Sequence, residues 1–153
     1  MTEEKVLELV ITLSIVLFGV GALIFWLKMV FRERREEVAK RFRRKKILRQ
    51  FNMANFYGLE SLGHAQARGN GVLVLTDEEL YFLKALPKRE TVIPVSSITA
   101  VSNPRSHLGK SNLVKLLRVE FENAGKPDAV AFVVDNIDAW TEEVEKIRGK
   151  VAA

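Results

Sequence analysis

The chain has no cysteine, only two histidines and only four prolines in 153 residues. Without cysteine there are no disulfides, no thiolate zinc centres and no cysteine nucleophile. The histidines, His64 and His107, stand in no metal-ligand spacing, and no GxSxG, HExxH or paired-carboxylate pattern occurs. The sequence therefore carries no enzyme motif and calls for no cofactor or metal. Gly109-Lys110-Ser111 matches the end of a phosphate-binding loop, but GxxxxGK[ST] needs glycine where this chain has Pro104, and no helix signal follows.

Charge is missing from residues 9–27, LVITLSIVLFGVGALIFWL, nineteen residues whose only polar side chains are Thr12 and Ser14. As a helix at ~1.5 Å per residue this run covers roughly 28 Å, close to the ~30 Å hydrocarbon thickness of a bilayer. Gly19 and Gly21 do not weaken that reading, because in lipid the backbone must satisfy itself and helix is the single-segment solution. A cleaved signal peptide is the competing interpretation. It wants a basic leader and small residues after a shorter core, whereas Glu3, Glu4 and Glu8 precede this run and Phe25-Trp26-Leu27-Lys28 end it.

What is abundant is positive charge just beyond the run. Residues 28–50 hold eleven Lys/Arg against three Glu, or +8, while residues 51–153 hold twelve Lys/Arg against thirteen Asp/Glu, or −1. The pI near 9.6 therefore belongs to one segment. The asymmetry predicts an N-terminus outside the cell (inner) membrane and a C-terminal domain in the cytoplasm. A nucleic-acid binder is disfavoured by the near-neutral domain and by the lack of aromatic stacking residues among the basic ones.

Residues 28–57 lack Gly and Pro and are rich in helix formers, which predicts a basic juxtamembrane helix over 28–58. Phe31, Val38 and Phe42 share a narrow stripe that is lost at Arg43-Arg44-Lys45-Lys46, where a hinge or a change of packing partner is expected rather than a long coiled coil. A helix lying on the membrane surface, with those three apolar residues inserted, would make the segment a collar. Arg43, Arg44, Lys45 and Lys46 are thus candidate anionic-lipid contacts, beside a purely topogenic role for the basic stretch.

From Ser61 the period changes to 2. Residues 61–68 and 71–76 read as strands joined at Gly69-Asn70, with His64 on the first at a barrel rim. Further strands are expected around 79–85, 90–95, 99–102, 113–121 and 129–135, about seven in all, with Pro94 at an edge or strand end. The polar loop 103–112 offers a second anion-binding candidate in Arg105 and Lys110, with His107 within it and Lys115 just beyond. After the last strand, Asp135 or Asn136 caps a helix whose Ile137, Trp140, Val144 and Ile147 form one apolar stripe that must lie on the sheet.

The stretch Gly71, Leu73, Leu75-Thr76, Leu80, Phe82, then Ile93-Pro94 through Ile98 and Val101, with Trp140 in the closing helix, resembles bacterial PH-like and GRAM-like families over residues 62–150. The resemblance implies a partly open barrel plugged at one end by the helix. It also implies a role in binding lipid headgroups, peptides or proteins rather than in catalysis, without naming a ligand. The expectation is an α+β protein: extracytoplasmic residues 1–8, a transmembrane helix over 9–27, a juxtamembrane helix over 28–58 and a PH-like domain over 61–151. Its partners would be the membrane, anionic headgroups and other proteins, and not nucleic acid. The alternative is a structural subunit of a larger membrane complex with no small ligand.

Overall fold

The computed structural model describes residues 2–151. The chain divides into two compact units, Met1–Glu33 and Arg34–Ala153. Helix α1, Glu3–Arg41, supplies nearly all of the first. Its apolar run is long enough to cross a membrane and none of its most apolar window is buried. Phe18, for example, is 81% exposed. The two polar side chains in the run bond to the preceding turn, Thr12 Oγ1 donating to the Glu8 carbonyl and Ser14 Oγ to that of Val10, both at 2.8 Å. No hydroxyl in the run therefore requires water as an acceptor.

The helix ends where the stripe is lost, but the next segment differs from the expectation. Residues 42–46 turn, and Ile47–Leu59 is strand β1 rather than the end of a helix reaching 58. β1 is the central strand, pairing antiparallel with β2 (Gly69–Thr76) on one side and with β9 (Lys126–Val133) on the other. Pairing and burial on two sides outweigh the local helix preference. Register shifts between Ile47 and Arg49, between Phe51 and Ala54, and between Phe56 and Gly58 interrupt its alternation. Such bulges bend a strand, and they let this one serve both halves of the sheet.

Residues 61–68, expected as a strand, form a 3-10 turn at Glu60–Leu62 and an irregular loop. Gly69 and Asn70 are strand residues facing Phe56 and Asn55. The order then agrees more closely with expectation: β3 (Glu79–Lys84), β4 (Arg89–Pro94), β5 (Ile98–Ser102), a small hairpin of β6 (Ser106–His107) and β7 (Lys110–Ser111), and β8 (Leu117–Asn123) before β9. The main sheet has seven strands in the order β4-β3-β2-β1-β9-β8-β5. It is not closed into a barrel. Among the described residues the edges β4 and β5 form no ladder with each other, although only residues 95–97 connect them.

Helix α2, Ile137–Val151, packs across β5 and the 95–97 corner. Asn136 Oδ1 caps its first turn by accepting from the Ala139 amide at 3.3 Å. Its arginine Arg148 donates Nη1 to the Thr99 carbonyl of β5 at 3.0 Å, covering part of that edge. Trp140 is buried as the apolar stripe requires, with Val144 and Ile147, against Leu73, Leu75, Phe82, Val119 and Phe132. Its indole nitrogen donates to Asp135 at 2.7 Å.

β2 and β3 are buried on both faces. Leu73, Leu75, Leu80 and Phe82 face the main core, whereas Val72, Val74, Tyr81 and Leu83 face the last turns of α1, where Val38 and Phe42 are wholly covered. The Phe42 ring meets Tyr81 edge-on at 5.2 Å. Val38 and Phe42 thus belong to the domain, which corrects the expectation that they insert into a membrane surface. Replacing Phe42 by Ala should cost ~3–5 kcal/mol, as other large-to-small core changes do. An unchanged denaturant midpoint for Phe42→Ala would place that ring outside the core.

Candidate binding surfaces

The cations singled out in the sequence fall into two places. Arg43, Arg44, Lys45 and Lys46 lie exposed on the turn after α1. Lys45 is tied to the β2–β3 turn, with Nζ 2.6 Å from Glu78 and 3.2 Å from Glu79. Those two carboxylates raise its pKa. Arg41 reaches Glu79 at 3.2 Å and lies over the Tyr81 ring at 4.5 Å. Tyr81 itself is pushed up by burial and by the neighbouring Glu90. Thr76 organises this turn, its buried hydroxyl accepting from the amides of Glu78 and Glu79.

Arg105 and Lys110 sit elsewhere and bond to backbone. Arg105 Nη1 donates to the Leu113 carbonyl at 3.2 Å, and Lys110 Nζ to that of Gln66 at 2.7 Å. Between them His107 is buried, with Nε2 3.0 Å from the Gly58 carbonyl, and burial holds its pKa below the usual value. His64 is not on a strand; it is exposed, with Nδ1 2.9 Å from the Leu108 carbonyl. The hairpin of β6 and β7 and the loop over 60–68 therefore lock together. Gln66 is the clip, bonding both the amide and the carbonyl of Leu59 and the carbonyl of Gly63.

At the end of β3 opposite Glu79 stands a cationic group that sequence reasoning does not single out. Lys84 is buried and donates to the Ala67 carbonyl at 2.6 Å, beside the Lys110–Gln66 bond. Burial lowers its pKa, and nearby Arg89 and Lys110 lower it further. Arg68 lies over the Tyr57 ring at 4.1 Å and donates to its hydroxyl at 3.1 Å. Lys88 pairs with Glu37 of α1 at 2.6 Å. Five cations, Arg68, Lys84, Lys88, Arg89 and Lys110, thus come together from three loops. Lys84, Lys88 and Arg89 stand within six residues, but Arg68 and Lys110 join them from distant parts of the sequence.

Two recesses carry no comparable chemistry. A cavity of about 150 Å³ is lined by Arg118 with Glu60, Glu120 and Asp128. Burial disfavours the Arg118 charge, but bonds to Glu60 and Glu120 outweigh it and hold its pKa up, so the cation is already neutralised. A groove of about 280 Å³ between α2 and the start of β1 mixes Lys46 and Lys150 with Asp77 and Glu143. Among the described residues no three His, Asp or Glu side chains are placed to hold a metal.

No protein-family model matches the chain, and no curated protein matches its sequence. Solved structures do resemble it. The C-terminal domain of an unknown protein from Leishmania infantum aligns with a TM-score of 0.50 at 16% identity, over 79% of this chain and 96% of that one. The Vps36 N-terminal PH domain aligns at 0.49 and 11%, over 72% and 83%. A chain of the 8S snRNP assembly intermediate aligns at 0.49 and 10%, over 69% and 80%. At such identities the likeness concerns the fold alone.

Asp128 gives this region an acid-sensitive anchor. It accepts from the Ser61 amide at 2.9 Å, the Ser61 hydroxyl at 2.6 Å and the Ala129 amide at 2.8 Å. Burial by itself would raise its pKa, but these bonds favour the anion and hold it below the ordinary value of 3.8. A depressed carboxyl contributes stability that is complete above the unfolded value and lost as pH falls through the folded one. Asp128→Asn should therefore cost ~1–3 kcal/mol near neutrality. Its deficit against wild type should shrink as pH drops below 3.8; a deficit constant with pH in denaturant titrations would remove Asp128 from the acid response.

Proposed function

We propose that this chain is a single-span protein of the cell membrane whose folded unit is a PH-like, non-catalytic binding or scaffolding module on the cytoplasmic side. The observation that carries the reading is the unburied apolar run of α1, set in a chain whose folded unit already has a complete core without it. Left in water, such a run would expose a far larger apolar patch than soluble proteins tolerate. Seven antiparallel strands in two meanders, closed by a helix that plants Trp140 in the core, support the PH-like assignment. Orientation rests on the eleven Lys/Arg of residues 28–50 against Lys5 ahead of the run.

A structural subunit of a larger membrane complex is the second reading. Leu113 is 90% exposed at the tip of its loop with Val114 beside it, and β4 is an open edge, features that a protein partner would cover.

Membrane fractions washed with alkaline carbonate should retain the protein, and protease added to intact cells should spare residues 60–150 until the cells are lysed. Release by the wash would end the single-span reading, and external digestion would reverse the orientation. Flotation of the full-length protein with anionic vesicles, beside a cross-linked pull-down from its own membranes, separates the two functions. Stoichiometric recovery of one protein through Leu113, lost in Leu113→Asp, favours the subunit reading.

A further inference from the structure

The direction in which α1 meets the sheet decides which end of the folded unit the chain enters. Glu37 pairs with Lys88, just ahead of β4. Four residues later Arg41 reaches Glu79 at the start of β3, and Lys45 reaches Glu78 and Glu79. The end of α1 therefore runs antiparallel to β3. Arg34, where the folded unit begins, belongs to the end built by the 60–68 loop and residues 84–89. Only residues 28–33 separate the apolar run from that point. Six residues reach ~9 Å as helix and about 20 Å fully extended.

Both ends carry cations. The entry end gathers Arg34, Arg68, Lys84, Lys88, Arg89 and Lys110; the acidic groups there include Glu37, paired to Arg34 and Lys88, Glu90, beside Tyr81, and Glu33 and Glu36, which flank Arg34 on α1. At its tip Leu86 is 39% exposed between Lys84 and Lys88. The far end is mixed: Asp77, Glu78 and Glu79 stand beside the exposed Arg43, Arg44 and Lys46 of the turn, with Glu78 and Glu79 holding Arg41 and Lys45, so it is the covalent path that distinguishes the two ends.

We propose that the entry end, with Arg68, Lys88 and Arg89 around Leu86, is a docking surface for the anionic lipid leaflet. The inference rests on the single-span reading above. Two independent observations carry it: the short covalent path from the apolar run to this end, and the excess of cations around an exposed leucine. Attraction to anionic headgroups fades over a Debye length of ~8 Å, so the end held nearest the bilayer is the one whose charges are felt. Leu86 then sits at the boundary between headgroup and acyl chain, where a flanked apolar residue is favourable. The turn over 43–46, a strand length away, faces water.

The absence of native cysteine makes the test direct. Full-length protein carrying Leu86→Cys or Arg44→Cys is labelled with a polarity-sensitive fluorophore and reconstituted into phosphatidylcholine vesicles with or without phosphatidylglycerol. Brominated lipid should quench the label at position 86 in the anionic vesicles and aqueous iodide should not; the label at 44 should behave oppositely. Adding Lys88→Gln and Arg89→Gln, or raising salt, should return the label at 86 to water. Arg68→Cys is a second reporter should the Leu86 change disturb the loop. If 86 and 68 remain iodide-accessible in anionic vesicles while the protein resists carbonate, the docking surface is refuted and the span stands. Lipid quenching at 44 instead would move the contact to the 43–46 turn. Release of the protein by carbonate would defeat the underlying span reading itself.

Discussion

The structure depends on the packing of the last turns of α1 against the outer face of the β2–β3 hairpin. Val72, Val74, Tyr81 and Leu83 point away from the main core, and without Val38 and Phe42 over them they would form an apolar surface on water. A hairpin apolar on both faces needs a cover on each side, and this chain uses α2 and the far sheet for one and α1 for the other. The ion pairs around this contact, Glu37 with Lys88 and Arg41 with Glu79, set its direction more than its strength, since partly exposed pairs contribute little.

Much of the fold was legible because the sequence states it locally. The strands over 71–76 and from 79 onward, the edge position of Pro94 and the burial of Trp140 all follow from period and residue type. β1 was not legible, for a physical reason. Its register shifts destroy the period of two, and its composition, free of Gly and Pro before Gly58, favours helix. The expected count of about seven strands nonetheless matched the main sheet, because a strand supposed at 61–68 stood in for the real one at 47–59. The resemblance implies a partly open barrel; the seven-stranded sheet is not closed, with β4 and β5 at its two edges.

The candidate surfaces divide in the same way. Runs of charge such as residues 43–46 are visible in sequence, as is a charged loop such as 103–112. Their partners are not, because Glu78 and Glu79, or the carbonyls of Gln66 and Leu113, are supplied by other parts of the chain. The cluster around Lys84 is the extreme case. Lys84 continues an apolar strand and looks like its polar terminus, yet it is buried on the Ala67 carbonyl with Arg89 and Lys110 as neighbours. Only the meeting of three loops reveals it.

The cover that α1 provides also makes this protein hard to take apart. Many domains that follow a long helix hang from a disposable linker and can be shed, exchanged or recombined. Here the leader into the folded unit is itself core material, since Val38 and Phe42 fill the space over β2 and β3. A cut at the exposed basic turn over 43–46 would not liberate an intact domain. It would strip one wall from it and leave a sticky β-surface behind, a product suited to degradation rather than to a second life in solution.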